Sequence, residues 1–382
     1  MRAVVSDGAV WIERWQPTGA GPRVGVKDLC DVAGSVTTAG CLAVARRAAP
    51  AESDAACVAS VRAAGGVLVG KTNLHELAYG TSGANPWYGM PENPSDPGRV
   101  PGGSSSGSAV ALALRQCDVA IGSDTGGSVR IPAACCGVVG LKTTFGRIPL
   151  EGVFPLAPSY DTIGPLGRSV REAALGLALL EGEANFEMGD APSLLGRVRL
   201  GPAVEVDPEV EQAVDAALAA SGLLVEETVV EGWLGAWKAH QCLLEVEAWA
   251  SDGHLVLSDP AGIGDEVRER LVAAGRRTPD EAAAASALGR AWSVYASEAA
   301  SRFGVLALAT LPYRPPAVGS FRRGFNILTA PVNLCGLPAL SVPIPVPSGS
   351  WWTGLQLVGP PGSEDVLFAA GQMVEDAVGS RF

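Results

Sequence analysis

Two blocks rich in glycine and serine constrain this chain more than any other feature. The first is Pro101-Gly102-Gly103-Ser104-Ser105-Ser106-Gly107-Ser108, which runs into the apolar stretch Ala109 to Leu114. The second is Gly122-Ser123-Asp124-Thr125-Gly126-Gly127-Ser128-Val129-Arg130-Ile131-Pro132. Glycine lets the backbone turn so that successive N–H groups converge on one point. Either block alone reads as a tight turn or a linker. The pair is more demanding, because Ser104 and Ser128 stand 24 positions apart. Ser104 to Leu114 reads as a loop entering a buried helix, and Val119-Ala120-Ile121 as a strand aimed at the second block. One helix and one strand return both blocks to the same sheet edge.

The remaining chain keeps this alternation. Ser53 to Ala64 reads as a helix that Ser53 can cap and Gly65 can end. Val67-Leu68-Val69 reads as a short strand, followed by a helical stretch to Tyr79. Residues 80–103 are loop-like, with turn signals at Asn85-Pro86, Asn93-Pro94 and Asp96-Pro97. Val138 to Leu141 is another short core segment, and Val170 to Leu180 a helix. Past residue 183 the pattern gives a strand at Val198-Arg199-Leu200 and a helix from Pro208 to Gly222. A strand at Leu223-Leu224-Val225 follows, then a long alanine-rich helical region carrying Trp233, Trp237, Trp249 and Trp292. Strands at Val305–Ala309, Ala339–Pro343 and Gly354–Val358 precede a last helix at 363–378. There is no internal repeat. The class is α/β with a large core sheet.

Composition narrows the function. The 382 residues are 47% hydrophobic and 18% charged, enough to bury a large core in one or two domains. The net charge of −12 argues against a nucleic-acid or acidic-lipid surface. Eight cysteines show no metal-ligand spacing and read as buried reduced thiols of a cytoplasmic protein. The start, Met1 to Asp7, does not read as a signal peptide. No apolar run approaches the roughly 20 residues of a membrane helix.

Three familiar motifs fail on context. Gly65-Gly66-Val67-Leu68-Val69-Gly70-Lys71-Thr72 fits the phosphate-loop pattern, but a helix precedes it and its centre is strand-like. Gly103-Ser104-Ser105-Ser106-Gly107 fits a nucleophile elbow at Ser105, but Asp96 to Pro101 before it cannot be a strand. His75, His240 and His254 have no ligand spacing, and each reads as a satisfied or surface histidine, so no metal is expected.

A serine needs a neighbour to take its proton. Without an available histidine, a buried lysine can serve, since desolvation disfavours its ammonium form. The chain has four lysines, Lys27, Lys71, Lys142 and Lys238. Lys27 follows Val24-Gly25-Val26 in an apolar setting that suits such a base. Thr125, Gly126, Gly127 and Ser128 form a candidate nest for an oxyanion. Such donors are worth about 3–4 kcal/mol each in a known hydrolase.

Together these segments resemble the amidase signature family. The resemblance rests on both blocks and on Gly25-Val26-Lys27-Asp28, Val69 to Asn73, Asn93-Pro94, Asn333 to Ala339 and Gly354 to Gly359. It covers nearly the whole chain. It implies one large mixed sheet flanked by helices, with 1–382 a single domain and 183–330 its variable, substrate-selecting region. It also implies a Ser–Ser–Lys triad: Ser128 as acyl-forming nucleophile, Ser104 as bridging serine after a cis peptide bond, and Lys27 as base. Ser105 would support this network, Thr125, Gly126, Gly127 and Ser128 would hold the oxyanion, and Asp124 and Arg130 would hold the loop. No cofactor is implied.

The short segment before Lys27, the short middle region and Trp87-Tyr88-Gly89 look most like indole-3-acetamide hydrolases. A small, primary, arylacetamide-like amide is the expected substrate, and Trp87 a candidate wall of the acyl pocket. Rival readings are a hydrolase of urea-like compounds such as biuret or allophanate, the glutaminase subunit of a tRNA-dependent amidotransferase, and a non-catalytic amidase-like binding module. Dimeric relatives make a homodimer an expectation.

Overall fold

The computed structural model describes residues 9–320 and 322–379; the Met1–Asp7 segment considered above for targeting lies outside them. In chain order the elements are β1 (Trp11–Arg14), β2 (Arg23–Lys27), α1 (Leu42–Ala45), α2 (Ala56–Ala63), β3 (Val67–Thr72), α3 (Ser106–Ala113), β4 (Val119–Ser123) and α4 (Arg130–Cys136). Next come β5 (Val139–Lys142), β6 (Ile163–Gly167), α5 (Val170–Glu181), β7 (Leu195–Arg199), α6 (Pro208–Ser221), β8 (Val225–Val229) and α7 (Trp233–Ser258). The chain ends with α8 (Asp265–Ala274), α9 (Pro279–Phe303), β9 (Val305–Ala309), α10 (Ala330–Leu334), β10 (Ala339–Pro345), β11 (Trp352–Val358) and α11 (Glu364–Val378).

All eleven strands join one mixed sheet in the order β1-β3-β2-β4-β6-β5-β10-β11-β9-β7-β8. β2 pairs in parallel with both β3 and β4, and β7 with both β8 and β9; the other neighbours are antiparallel. Helices cover both faces, so the central strands are apolar on both sides and wholly buried. α3 is apolar all round and buried along its whole length, as such a helix must be. Gly107 allows its close approach: a Cβ there would lie 2.5 Å from both Asn73 N and Val10 O.

The main alternation matches the sequence pattern, with instructive differences. Ser53 does not cap α2, which begins at Ala56 behind Ala55. The strand expected at Val67–Val69 continues through Gly70-Lys71-Thr72, and only a 3-10 turn, Glu76–Ala78, stands where a helix to Tyr79 was expected. β6 carries Gly164, Pro165 and Gly167, residues that mimic a turn, yet it pairs between β4 and β5 inside the sheet. Asp207, Pro208 and Gly222 do bound α6, with Gly222 left-handed at its end. All eight cysteines are free thiols and seven are buried. Among the described residues no helix is long and apolar enough to cross a membrane, and no group of His, Cys, Asp and Glu is placed to hold a metal ion.

Candidate active site

Parallel pairing assembles the centre. Val26 of β2 lies opposite Ile121 of β4, so the two strands end side by side, with Lys27 last on one and Ser123 last on the other. The first block runs into α3, whose N-cap position is occupied by Ser105. Lys27 Nζ donates to Ser104 Oγ at 2.7 Å and to Ser123 Oγ at 2.8 Å. The lysine is fully buried, and desolvation pushes its pKa down to about 7, against the pull of Cys30, Asp124 and Asp161. The Gly103–Ser104 peptide is cis. Ser105 N donates to Ser128 O at 3.1 Å, which ties the two blocks together, and Ser105 Oγ donates to Ser123 O at 3.3 Å. Ser128 is 6% exposed, and among the described residues its hydroxyl has no hydrogen-bond partner. Such a hydroxyl can align when a ligand enters.

The second block is held by its carbonyls. Asp124 O accepts from Thr162 N, Thr162 Oγ1 and Asn333 Nδ2. Thr125 O accepts from His240 Nε2 at 2.8 Å, and Gly126 O from Thr329 Oγ1 at 2.8 Å. Gly127 O accepts from Ile131 N at 2.7 Å. With these oxygens tied back, the amides of Thr125, Gly126 and Ser128 have no acceptor among the described residues. The fourth amide of the expected set, that of Gly127, is already engaged. Gly127 N donates to Asp124 Oδ1 at 2.7 Å, because that carboxylate folds under the loop. Only glycine fits at Gly127, where φ is +123° and a Cβ would lie 2.2 Å from Thr329 Oγ1.

Beneath the loop lies a buried clamp. Arg130 makes a two-pronged pair with Asp124, at 3.0 Å from Nε to Oδ2 and 2.8 Å from Nη2 to Oδ1. It also donates to Gln356 Oε1 and Asn333 Oδ1, both at 2.6 Å, and to Thr329 O at 3.1 Å. Burial alone would raise the Asp124 pKa, but the Arg130 charge and the hydrogen bonds from Arg130 and Asn333 hold it well below the carboxylate range. Asp161 anchors the other side, accepting from Thr125 Oγ1 at 2.6 Å and from the amides of Leu156 and Ala157.

Sequence reasoning missed several of these groups. Ser123 had a readable signal, since it closes a strand and abuts the second block. Asp161, Thr329 and His240 had none, being single residues brought in by distant segments. His240 was read as a satisfied histidine. It is fully buried, and its partner is Thr125 O in the second block. Trp87, the candidate wall of the acyl pocket, lies on a turn at the surface. It is 36% exposed, and its indole donates to Glu76 Oε1 at 2.7 Å. Asn85 Oδ1 accepts from the amides of Trp87 and Tyr88, and this turn brings the ring to Glu76. Among the described residues it makes no hydrogen bond to Lys27, Ser104 or Ser128. Lys71 is no phosphate ligand: it lies in β3, buried against Asp28 at 2.7 Å and Thr37 at 2.8 Å.

Comparison with known proteins identifies the family. The Amidase family model matches residues 20–368, and the chain belongs to that family. It is a hydrolase of the amidase signature type, acting on C–N bonds. It is 32% identical to AtzE, a 1-carboxybiuret hydrolase subunit of Pseudomonas sp. (strain ADP), a match covering 94% of this chain and 84% of the relative. It is 36% identical to a glutamyl-tRNA(Gln) amidotransferase subunit of Thermus thermophilus, covering 94% and 85%. A solved amidase crystal structure superposes with a TM-score of 0.84 at 35% identity, covering 94% of this chain and 85% of that one.

Proposed function

We propose that the chain hydrolyses a small uncharged amide to a carboxylic acid and ammonia through a Ser128 acyl-enzyme. The observation that carries this reading is the fully buried Lys27 amine, 2.7 Å from Ser104 Oγ, on a sheet edge that also holds Ser128 and its free amides. Neutral Lys27 takes a proton from Ser104 as Ser104 takes one from Ser128. The Ser128 oxygen attacks the amide carbonyl, and the amides of Thr125, Gly126 and Ser128 hold the oxyanion. The relay returns the proton to the leaving nitrogen as the C–N bond breaks. Water then enters by the same relay and frees the acid. Ser105 supports the bridge between the blocks.

Support for a flat, uncharged acyl group comes from the surroundings of Gly126. A Cβ there would lie 3.5 Å from Asn326, which accepts from the Trp237 indole, and Tyr160 lies close by, packed on the ring of the buried His240. Two of these three surrounding residues, Asn326 and Trp237, fall in 183–330, which fits that region as the selector of substrate. An arylacetamide suits such walls. The relationship to a 1-carboxybiuret hydrolase subunit supports a second reading, a urea-derived substrate. The relationship to amidotransferase subunits supports a third, glutamine hydrolysis with a partner.

The test is ammonia release from indole-3-acetamide, phenylacetamide, glutamine, malonamate and biuret, comparing wild type with Ser128→Ala. Release by wild type alone is expected, and the best substrate chooses among the three readings. Turnover by Ser128→Ala would overturn the acyl-enzyme.

A further inference from the structure

His240 stands on α7, distant in sequence from every group of the relay, yet its ring reaches the nucleophile loop. Nε2 lies 2.8 Å from Thr125 O. A carbonyl oxygen only accepts, so Nε2 carries the hydrogen and Nδ1 is bare; the Gln241 side-chain nitrogen lies 3.4 Å from Nδ1. Tyr160 packs on the imidazole, with ring centroids 5.2 Å apart. The Thr125–Gly126 peptide is trans, so its C=O and N–H point in opposite directions. Anchoring the oxygen to α7 turns the Gly126 N–H away from α7, and no acceptor among the described residues takes that amide.

We propose that His240 is a positioning residue that fixes the Thr125–Gly126 peptide so that the Gly126 amide serves as an oxyanion donor. The proposal rests on Ser128 being the nucleophile. It assigns His240 no proton transfer: it acts through one hydrogen bond to one carbonyl. Burial holds the imidazole pKa down to about 4, so the ring is neutral across the working range and keeps the tautomer this bond requires.

Geometry gives a discriminating test. The side-chain nitrogen of glutamine can occupy the place of imidazole Nε2, whereas that of asparagine falls short of it. We would measure kcat and KM of wild type, His240→Gln, His240→Asn and His240→Leu on the best amide, together with the affinity of an aldehyde that adds to Ser128. Loss of a whole oxyanion donor costs about 10²–10³-fold in kcat. The Asn and Leu variants should lose roughly 10–100-fold in kcat and a similar factor in aldehyde affinity, with KM little changed. His240→Gln should recover most of both. Equal kcat in the Gln and Asn variants would overturn the proposal, even if His240→Leu fails to fold, and so would a change confined to KM. Failure of the acyl-enzyme reading is separate, since it appears as turnover by Ser128→Ala with His240 intact.

Discussion

Lys27 has an ordinary unfolded pKa near 10.4 and a folded one near 7, lowered by burial. The folded state therefore binds this proton more weakly than the unfolded chain. The lysine costs stability below pH ~10; the cost grows as pH falls towards 7 and is constant below that. Lys27→Met should abolish turnover while raising stability at pH 7 by on the order of a few kcal/mol, read as a higher denaturant midpoint. In the wild type, kcat/KM should fall on the acid side with half-maximum near pH 7, as the amine takes up its proton. Asp252 of α7 is the complementary case. It is buried, and neither carboxylate oxygen has a partner among the described residues. Burial first, then Asp161, raises its pKa well above the ordinary value. Its folded pKa exceeds the unfolded one near 3.9, so stability declines from about pH 4 upwards until the folded pKa is reached. The stability gap between Asp252→Asn and wild type should widen by up to about 1.4 kcal/mol per pH unit over that window. A gap independent of pH would show that Asp252 ionises freely in the folded protein.

Among the elements, α3 and β4 were the most legible, because apolar runs between glycine blocks leave few alternatives. Both serine blocks, and Lys27 as their partner, could be read from residue type and spacing. β6 could not, since its glycines and proline carry a turn signature that tertiary pairing overrides. The groups that hold the second block's carbonyls were equally hidden: Thr162, His240, Thr329 and Asn333 have no local pattern that points towards residues 124–126. Helix packing gives its own prediction. Gly107→Ala would press a methyl group into the backbone of Asn73 and Val10, atoms that cannot rotate away. It should cost about 1–3 kcal/mol and displace the start of α3. A thermal melt and a kcat measurement would check this, and unchanged values of both would refute the tight approach.

Across the whole molecule, Arg130 joins parts of the chain that are far apart in sequence. It connects Asp124 in the second block with Asn333 in α10 and Gln356 in β11. Removing the guanidinium would strand a buried charge, so Arg130→Met should destabilise the protein by about 3–5 kcal/mol in denaturant unfolding. Replacing both partners, as in Asp124→Asn with Arg130→Met, should cost less than the sum of the single changes. Additive losses would mean that the pair is not an energetic unit.

The same clamp imposes an order on the making of the protein. Lys27, Ser104 and Ser128 are synthesised at least two hundred residues before Thr329, Asn333 and Gln356. Until those late residues arrive, Asp124 and Arg130 lack part of their support and the Gly126 carbonyl lacks the Thr329 hydroxyl. A nascent chain thus carries its serines before it holds the residues that fix the second block, and that block can take its final shape only once translation has passed β11.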